Sequence, residues 1–64
     1  MRVNGKNIPL KDSPNLYEFL KREGYIPKQV AVLKNDTIIT KGTYEKEILS
    51  DTDQLEIVTF VGGG

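Results

Sequence analysis

Sixty-four residues, with nine Lys and Arg balanced by nine Asp and Glu and an apolar share of 38%, suit one small domain. A chain of this length buries only about 60% of the surface its unfolded form exposes, which leaves no room for a second core. Zero net charge gives no cationic surplus for nucleic acid or an anionic membrane, and the absence of Cys and His removes disulfides, thiolate nucleophiles, Cys zinc sites and the usual general base.

The chain opens with Met1–Leu10, which reads as an antiparallel hairpin around Asn4-Gly5, the strongest two-residue turn signal. Pro9 cannot donate to a ladder, so this strand is expected at a sheet edge or to end there. Ser13 and Pro14 then change the period. Ser13 suits an N-cap and Pro14 a first helical position, and Leu16, Phe19 and Leu20 recur at helical spacing. Glu18 and Arg22 stand four apart in the favourable order, and Gly24 suits the left-handed residue past the end. The spacing predicts a helix over Pro14–Glu23. It is too short to stand alone and must pack on a sheet.

Tyr25–Lys28 is a connector, and Gln29–Lys34 reads as a strand buried on both faces. Asn35-Asp36 is a turn and Thr37–Thr40 a short strand. Thr43–Leu49 suits one helical turn, with Thr43 as its cap and Tyr44, Ile48 and Leu49 as its apolar contacts. Ser50–Asp53 is another turn, and Gln54–Val61 is the last strand. A hairpin, one helix and returning strands make an α+β domain with a mixed sheet and the helix across one face. This is the β-grasp, or ubiquitin-like, arrangement. It is expected over 1–60, with 61–64 as a glycine tail.

Gly62, Gly63 and Gly64 follow a strongly β-forming strand. They read either as a frayed end or as a stalk that enters a narrow active site, where the absence of side chains avoids clashes. Extended, Val61–Gly64 reaches at most about 13–14 Å. The chemistry of the second reading centres on the Gly64 carboxylate. ATP converts such a group into an acyl adenylate, and a sulfur donor converts that into a thiocarboxylate. No internal thiol is present to intercept the adenylate.

Alternation along the last strand assigns Leu55 and Ile57 to the core and turns Val58 and Phe60 to the other face, next to the tail. Those two either form a partner-binding patch or are covered by the connector or by Tyr44–Leu49. Asp12, Asp51 and Asp53 fall in turns, where Asp is favoured for its own hydrogen bonds, so no metal site is expected. No phosphate loop is expected, because no helix follows the glycines. No apolar run approaches the roughly 20 residues of a membrane span, and no secretory leader is evident. A cytoplasmic protein, monomeric when free, is expected.

Val3-Asn4-Gly5, Leu16-Tyr17-Glu18-Phe19-Leu20, Val30-Ala31-Val32 with Asn35, and above all the closing block Asp53–Gly64 resemble the ThiS-type sulfur carriers of thiamine biosynthesis, within the ubiquitin-like ThiS/MoaD family. The resemblance implies a carrier rather than an enzyme. It implies Gly64 as the modified residue behind the family's diglycine end. It also implies an E1-like adenylating enzyme of the ThiF type that uses ATP, a sulfur-donating enzyme, and a thiazole synthase of the ThiG type as acceptor. No bound cofactor is expected. The molybdopterin branch of the family, a ubiquitin-like modifier joined to lysines, and a non-covalent binding module are the competing readings. Two positions depart from the family pattern. Thr52 stands where a Gly is usual between the two Asp, and Tyr44 where a Trp is common. A β-branched Thr52 disfavours positive φ, so a different turn geometry is expected there.

Overall fold

The computed structural model describes residues 1–11 and 14–60. Strands β1 (Arg2–Val3) and β2 (Lys6–Asn7) form the expected hairpin. Asn4 and Gly5 sit at φ 51° and 84°, the left-handed pair that a two-residue hairpin requires. β2 lies at the sheet edge and ends before Pro9, as the missing donor demands.

Helix α1 spans Leu16–Arg22, two residues later than the sequence pattern predicts. Its N-cap is Asn15 rather than Ser13, whose position lies outside the described residues. Asn15 Oδ1 accepts the Glu18 N–H at 3.1 Å. The delay has a clear cause, since Pro14 and Asn15 are already paired with the 47–49 segment. The Leu49 N–H donates to the Pro14 carbonyl at 2.6 Å, and the Leu16 N–H to the Glu47 carbonyl at 2.9 Å. The far end matches expectation. Gly24, at φ 87°, lets the Tyr25 N–H reach the Leu20 carbonyl and its own N–H reach that of Lys21, a Schellman closure. Arg22 does not pair with Glu18. Its guanidinium donates to the Leu10 and Pro9 carbonyls at 2.6 and 2.7 Å, stapling the hairpin's exit to the helix.

After a 3₁₀ turn at Pro27–Gln29 come β3 (Val30–Lys34) and β4 (Thr37–Ile38), joined by Asn35 and Asp36 at φ 50° and 69°. A second 3₁₀ turn occupies Lys41–Thr43. Thr43 therefore closes this turn instead of capping a later one, and its hydroxyl donates to the Thr40 carbonyl. Strand β5 (Gln54–Thr59) finishes the sheet. The order is β2-β1-β5-β3-β4, with β5 parallel to β1 and antiparallel to β3. This is the expected β-grasp sheet.

One face of that sheet carries the core. Leu16, Phe19 and Leu20 of α1 are fully buried against Val3, Val30, Val32, Leu55 and Ile57, with Leu10, Tyr44 and Leu49 sealing the margins. Tyr44 fits there because its hydroxyl donates to the Val30 carbonyl at 3.2 Å. Burial pushes its phenol pKa above the usual value. β3 is buried on one face only, because a single helix covers a single face. Ala31 and Leu33 remain half-buried on the other. Ile48, expected to pack inward, is exposed and lies instead in the isolated bridge to Asn15.

Candidate docking face at the end of the last strand

β5 leads to every residue predicted to matter, and it is held from both flanks. β1 pairs with only two of its residues, Gln54 and Leu55. Beyond that point the Asn4 side chain takes over the ladder. Its Oδ1 accepts the Ile57 N–H at 2.8 Å and its Nδ2 donates to the Ile57 carbonyl at 3.3 Å. Asn35 acts similarly on the other flank. Its Oδ1 accepts the Gln54 N–H and its Nδ2 donates to Asp53, both at 3.0 Å. Each asparagine occupies a left-handed turn position, which this residue tolerates better than most, and spends its amide on β5.

Register then fixes which side chains share the open face. Val58 stands opposite Ala31, Glu56 opposite Leu33, and Leu33 opposite Ile38. Leu55 and Ile57 are buried, as expected. Val58 is 52% exposed and Phe60 46% exposed, so neither the connector nor the Tyr44–Leu49 segment covers them. Thr59, on the inward parity and opposite the buried Val30, is nonetheless exposed. Phe60 is still anchored, since its N–H donates to the Gln29 carbonyl at 2.7 Å. Gly62, Gly63 and Gly64, together with Val61, lie outside the described residues.

One neighbour of this patch escaped the sequence analysis. Lys41 Nζ lies 4.9 Å from the Phe60 ring centroid and donates to the Lys28 carbonyl at 2.8 Å. No local spacing reveals a contact between residues 19 apart in a loop and a strand end. A groove of about 390 Å³ adjoins it, lined by Tyr17, Ile26, Tyr44, Lys28, Lys41 and Glu45.

The acidic residues behave as turn chemistry. Asp53 accepts the Ser50 N–H at 2.8 Å. Burial pushes its carboxyl pKa upward, but the Asn35 amide, the Ser50 N–H and the Lys34 ammonium outweigh that and hold it below the usual value. Lys34 donates to Glu47 at 2.7 Å, and that hydrogen bond, more than any other contact, raises its own pKa despite partial burial. Thr52 is not among the positive-φ residues. The Ser50 and Thr52 hydroxyls meet at 2.8 Å, which closes the turn without a glycine. Asp51 is exposed, and Asp12 lies outside the described residues. Among the described residues no group of three His, Cys, Asp or Glu could hold a metal ion, and no helix is long and apolar enough to cross a membrane.

The ThiS family model matches residues 1–64. The sulfur carrier protein ThiS of Bacillus subtilis is 38% identical over 65 aligned positions, which cover all of this chain and 98% of that protein. A thiazole synthase of Magnetococcus marinus is 34% identical over 64 residues, all of this chain but 20% of that protein. An uncharacterized protein, ycf40, of Trieres chinensis is 32% identical over 97% of this chain and 85% of its own length. The chain thus spans about a fifth of the length of the thiazole synthases it matches.

Proposed function

The chain belongs to the ThiS family, and from that premise we propose that it carries sulfur for thiazole formation in thiamine biosynthesis, with Gly64 as the residue that is loaded. The body supplies no chemistry of its own. It has no Cys and no His, so activation falls to other proteins. In the first step a carboxylate oxygen of Gly64 attacks the α-phosphorus of ATP and displaces pyrophosphate, on an E1-like adenylating enzyme of the ThiF type. In the second, a sulfide equivalent from a sulfur-donating enzyme attacks the acyl carbon. A C–S bond forms, the C–O bond to phosphate breaks, and AMP leaves with that oxygen. The thiocarboxylate then passes its sulfur to a thiazole synthase of the ThiG type. The resemblance to two thiazole synthases supports that acceptor.

The observation that carries this reading is the open apolar end of β5. Val58 and Phe60 are exposed at the end of a strand that is otherwise clamped, six and four residues before Gly64 in sequence. A partner seated on them has the terminal acid within about 13–14 Å of Val61 when the chain is extended. Aromatic residues at such edges are typical anchors of protein interfaces.

Intact-mass measurement after incubation with the adenylating enzyme, ATP and a sulfur source tests the reading. The expected product has one oxygen of Gly64 replaced by sulfur. High-mass conjugates would identify a protein modifier instead, and an unchanged mass with an active partner would sink the carrier reading. Phe60→Ala is expected to slow loading at least about tenfold while the melting curve stays in place.

A further inference from the structure

Phe60 does not present a bare ring. Lys41 belongs to the 3₁₀ turn Lys41–Thr43, and its ammonium lies over the Phe60 ring at 4.9 Å while donating to the Lys28 carbonyl at 2.8 Å. The hydrogen bond joins the two 3₁₀ turns beside the end of β5. Lys28, Lys41 and Phe60 are all exposed. Among the described residues, no carboxylate lies within ion-pair distance of Lys28 or Lys41. The adjoining groove adds Tyr17, Ile26 and Tyr44, and against these two ammonium groups its lining holds one carboxylate, Glu45.

A surface that covers Phe60 also covers the ion resting on it. One ammonium donor is already satisfied by Lys28, and the others are served by water while the protein is free. Docking removes that water. The pull of the ring on the ammonium grows as water leaves, but it remains small beside the cost of dehydrating an ion. A neutral apolar lid would therefore bind this patch poorly, and a basic one worse. An acidic group on the partner resolves the conflict, because it pairs with the ammonium in the water-poor interface.

On this basis we propose that Lys41 is a specificity-determining contact, and that the adenylating partner meets Phe60 with a carboxylate set against Lys41 Nζ. The inference rests on the docking reading given above and adds the chemistry of the surface that fits it. The apolar part of the patch supplies area. The ion above the ring selects among apolar partners and speeds encounter with an acidic one.

The test measures the dissociation constant of the full chain and the adenylating enzyme by calorimetry, across ionic strengths from about 0.01 M to about 1 M, over which screening lengths fall from about 30 Å to about 3 Å. Lys41→Met is expected to weaken binding about tenfold or more at low salt and to flatten the salt dependence. Lys41→Glu should be weaker still, and Lys41→Arg should bind within about threefold of the unaltered chain. Melting curves run in parallel separate lost contact from lost structure. If Lys41→Met and Lys41→Glu both bind as the unaltered chain does while Phe60→Ala loses affinity, the docking face stands and the charged contact is refuted. If Phe60→Ala also binds normally, the face is not used and both ideas fall.

Discussion

Replacing Asn4 tests how β5 is held where its backbone partner runs out. Asn4→Ala removes two hydrogen bonds to Ile57, at 2.8 and 3.3 Å, in a part-buried setting. The Ile57 N–H is then left without its acceptor, a loss of about 1–2 kcal/mol at partial burial. Alanine must also hold φ near 51°, which costs about 1 kcal/mol more than asparagine does there. The sum is about 2–3 kcal/mol, a large part of the roughly 3–5 kcal/mol that a domain this small commands. A fall in melting temperature of about 10–20 °C follows. Asn4→Gly also loses both hydrogen bonds but accepts the positive φ without strain, so it should lie between Asn4→Ala and the unaltered chain. Guanidinium unfolding followed by circular dichroism gives the three midpoints, with slopes expected to match. Amide exchange at Ile57 should accelerate in both variants, since that N–H loses its acceptor. The clamp is refuted if Asn4→Ala unfolds within about 0.5 kcal/mol of the unaltered chain, a difference too small for two lost part-buried hydrogen bonds. It is also refuted if the Ile57 amide exchanges no faster.

Three further outcomes are expected. Arg22→Lys should cost about 1–2 kcal/mol in chemical denaturation, because one ammonium cannot span the Pro9 and Leu10 carbonyls that the guanidinium holds together; an unchanged midpoint would mean the staple is idle. Asp53 has a depressed pKa, so its contribution is fully present above the unfolded value of about 3.9 and fades as pH falls through the lower folded value. Unfolding midpoints of Asp53→Asn should therefore lie below those of the unaltered chain at neutral pH and converge with them in acid, and a gap that persists in acid would refute the ionic origin. Deleting Gly64 should abolish sulfur loading, read by intact mass, with the melting temperature unmoved; loading that survives would remove Gly64 from the chemistry.

The elements whose cause is local were legible in the sequence. The Asn4-Gly5 turn, the Gly24 closure and the Leu16/Phe19/Leu20 stripe each follow from spacing and backbone preference, and each appears in the structure. Errors arose where a distant segment competes. Pro14 looks like a first helical position, but the Leu49 N–H claims its carbonyl and the helix starts at Leu16. Arg22 looks like a partner for Glu18, but two carbonyls 12 and 13 residues earlier offer fully formed acceptors. At the candidate site, β5 parity separates Val58 and Phe60 from the buried Leu55 and Ile57, because alternation is a local rule. Their exposure was not decidable, since it depends on where the loops travel. Lys41 over Phe60 was invisible for the same reason.

The open face follows from length as much as from selection of particular residues. Five strands present two faces, and one helix of seven residues covers one of them. A soluble sheet in this position usually paints its second face polar. Arg2, Gln54 and Glu56 do so at one end, where β1 flanks β5. Elsewhere the same face turns apolar, with Leu33 opposite Glu56 and Ile38 opposite Leu33, and with Ala31, Val58 and Phe60 toward the end of β5. Val58 and Phe60 contribute little to folding, because neither is buried, and exposed apolar groups raise the risk of association. Polar replacements there would cost the fold almost nothing. On the docking reading proposed above, they serve contacts outside this chain. The strand beneath them is pinned at Gln54, Ile57 and Phe60, so on that same reading a partner would meet Val58 and Phe60 on a fixed strand.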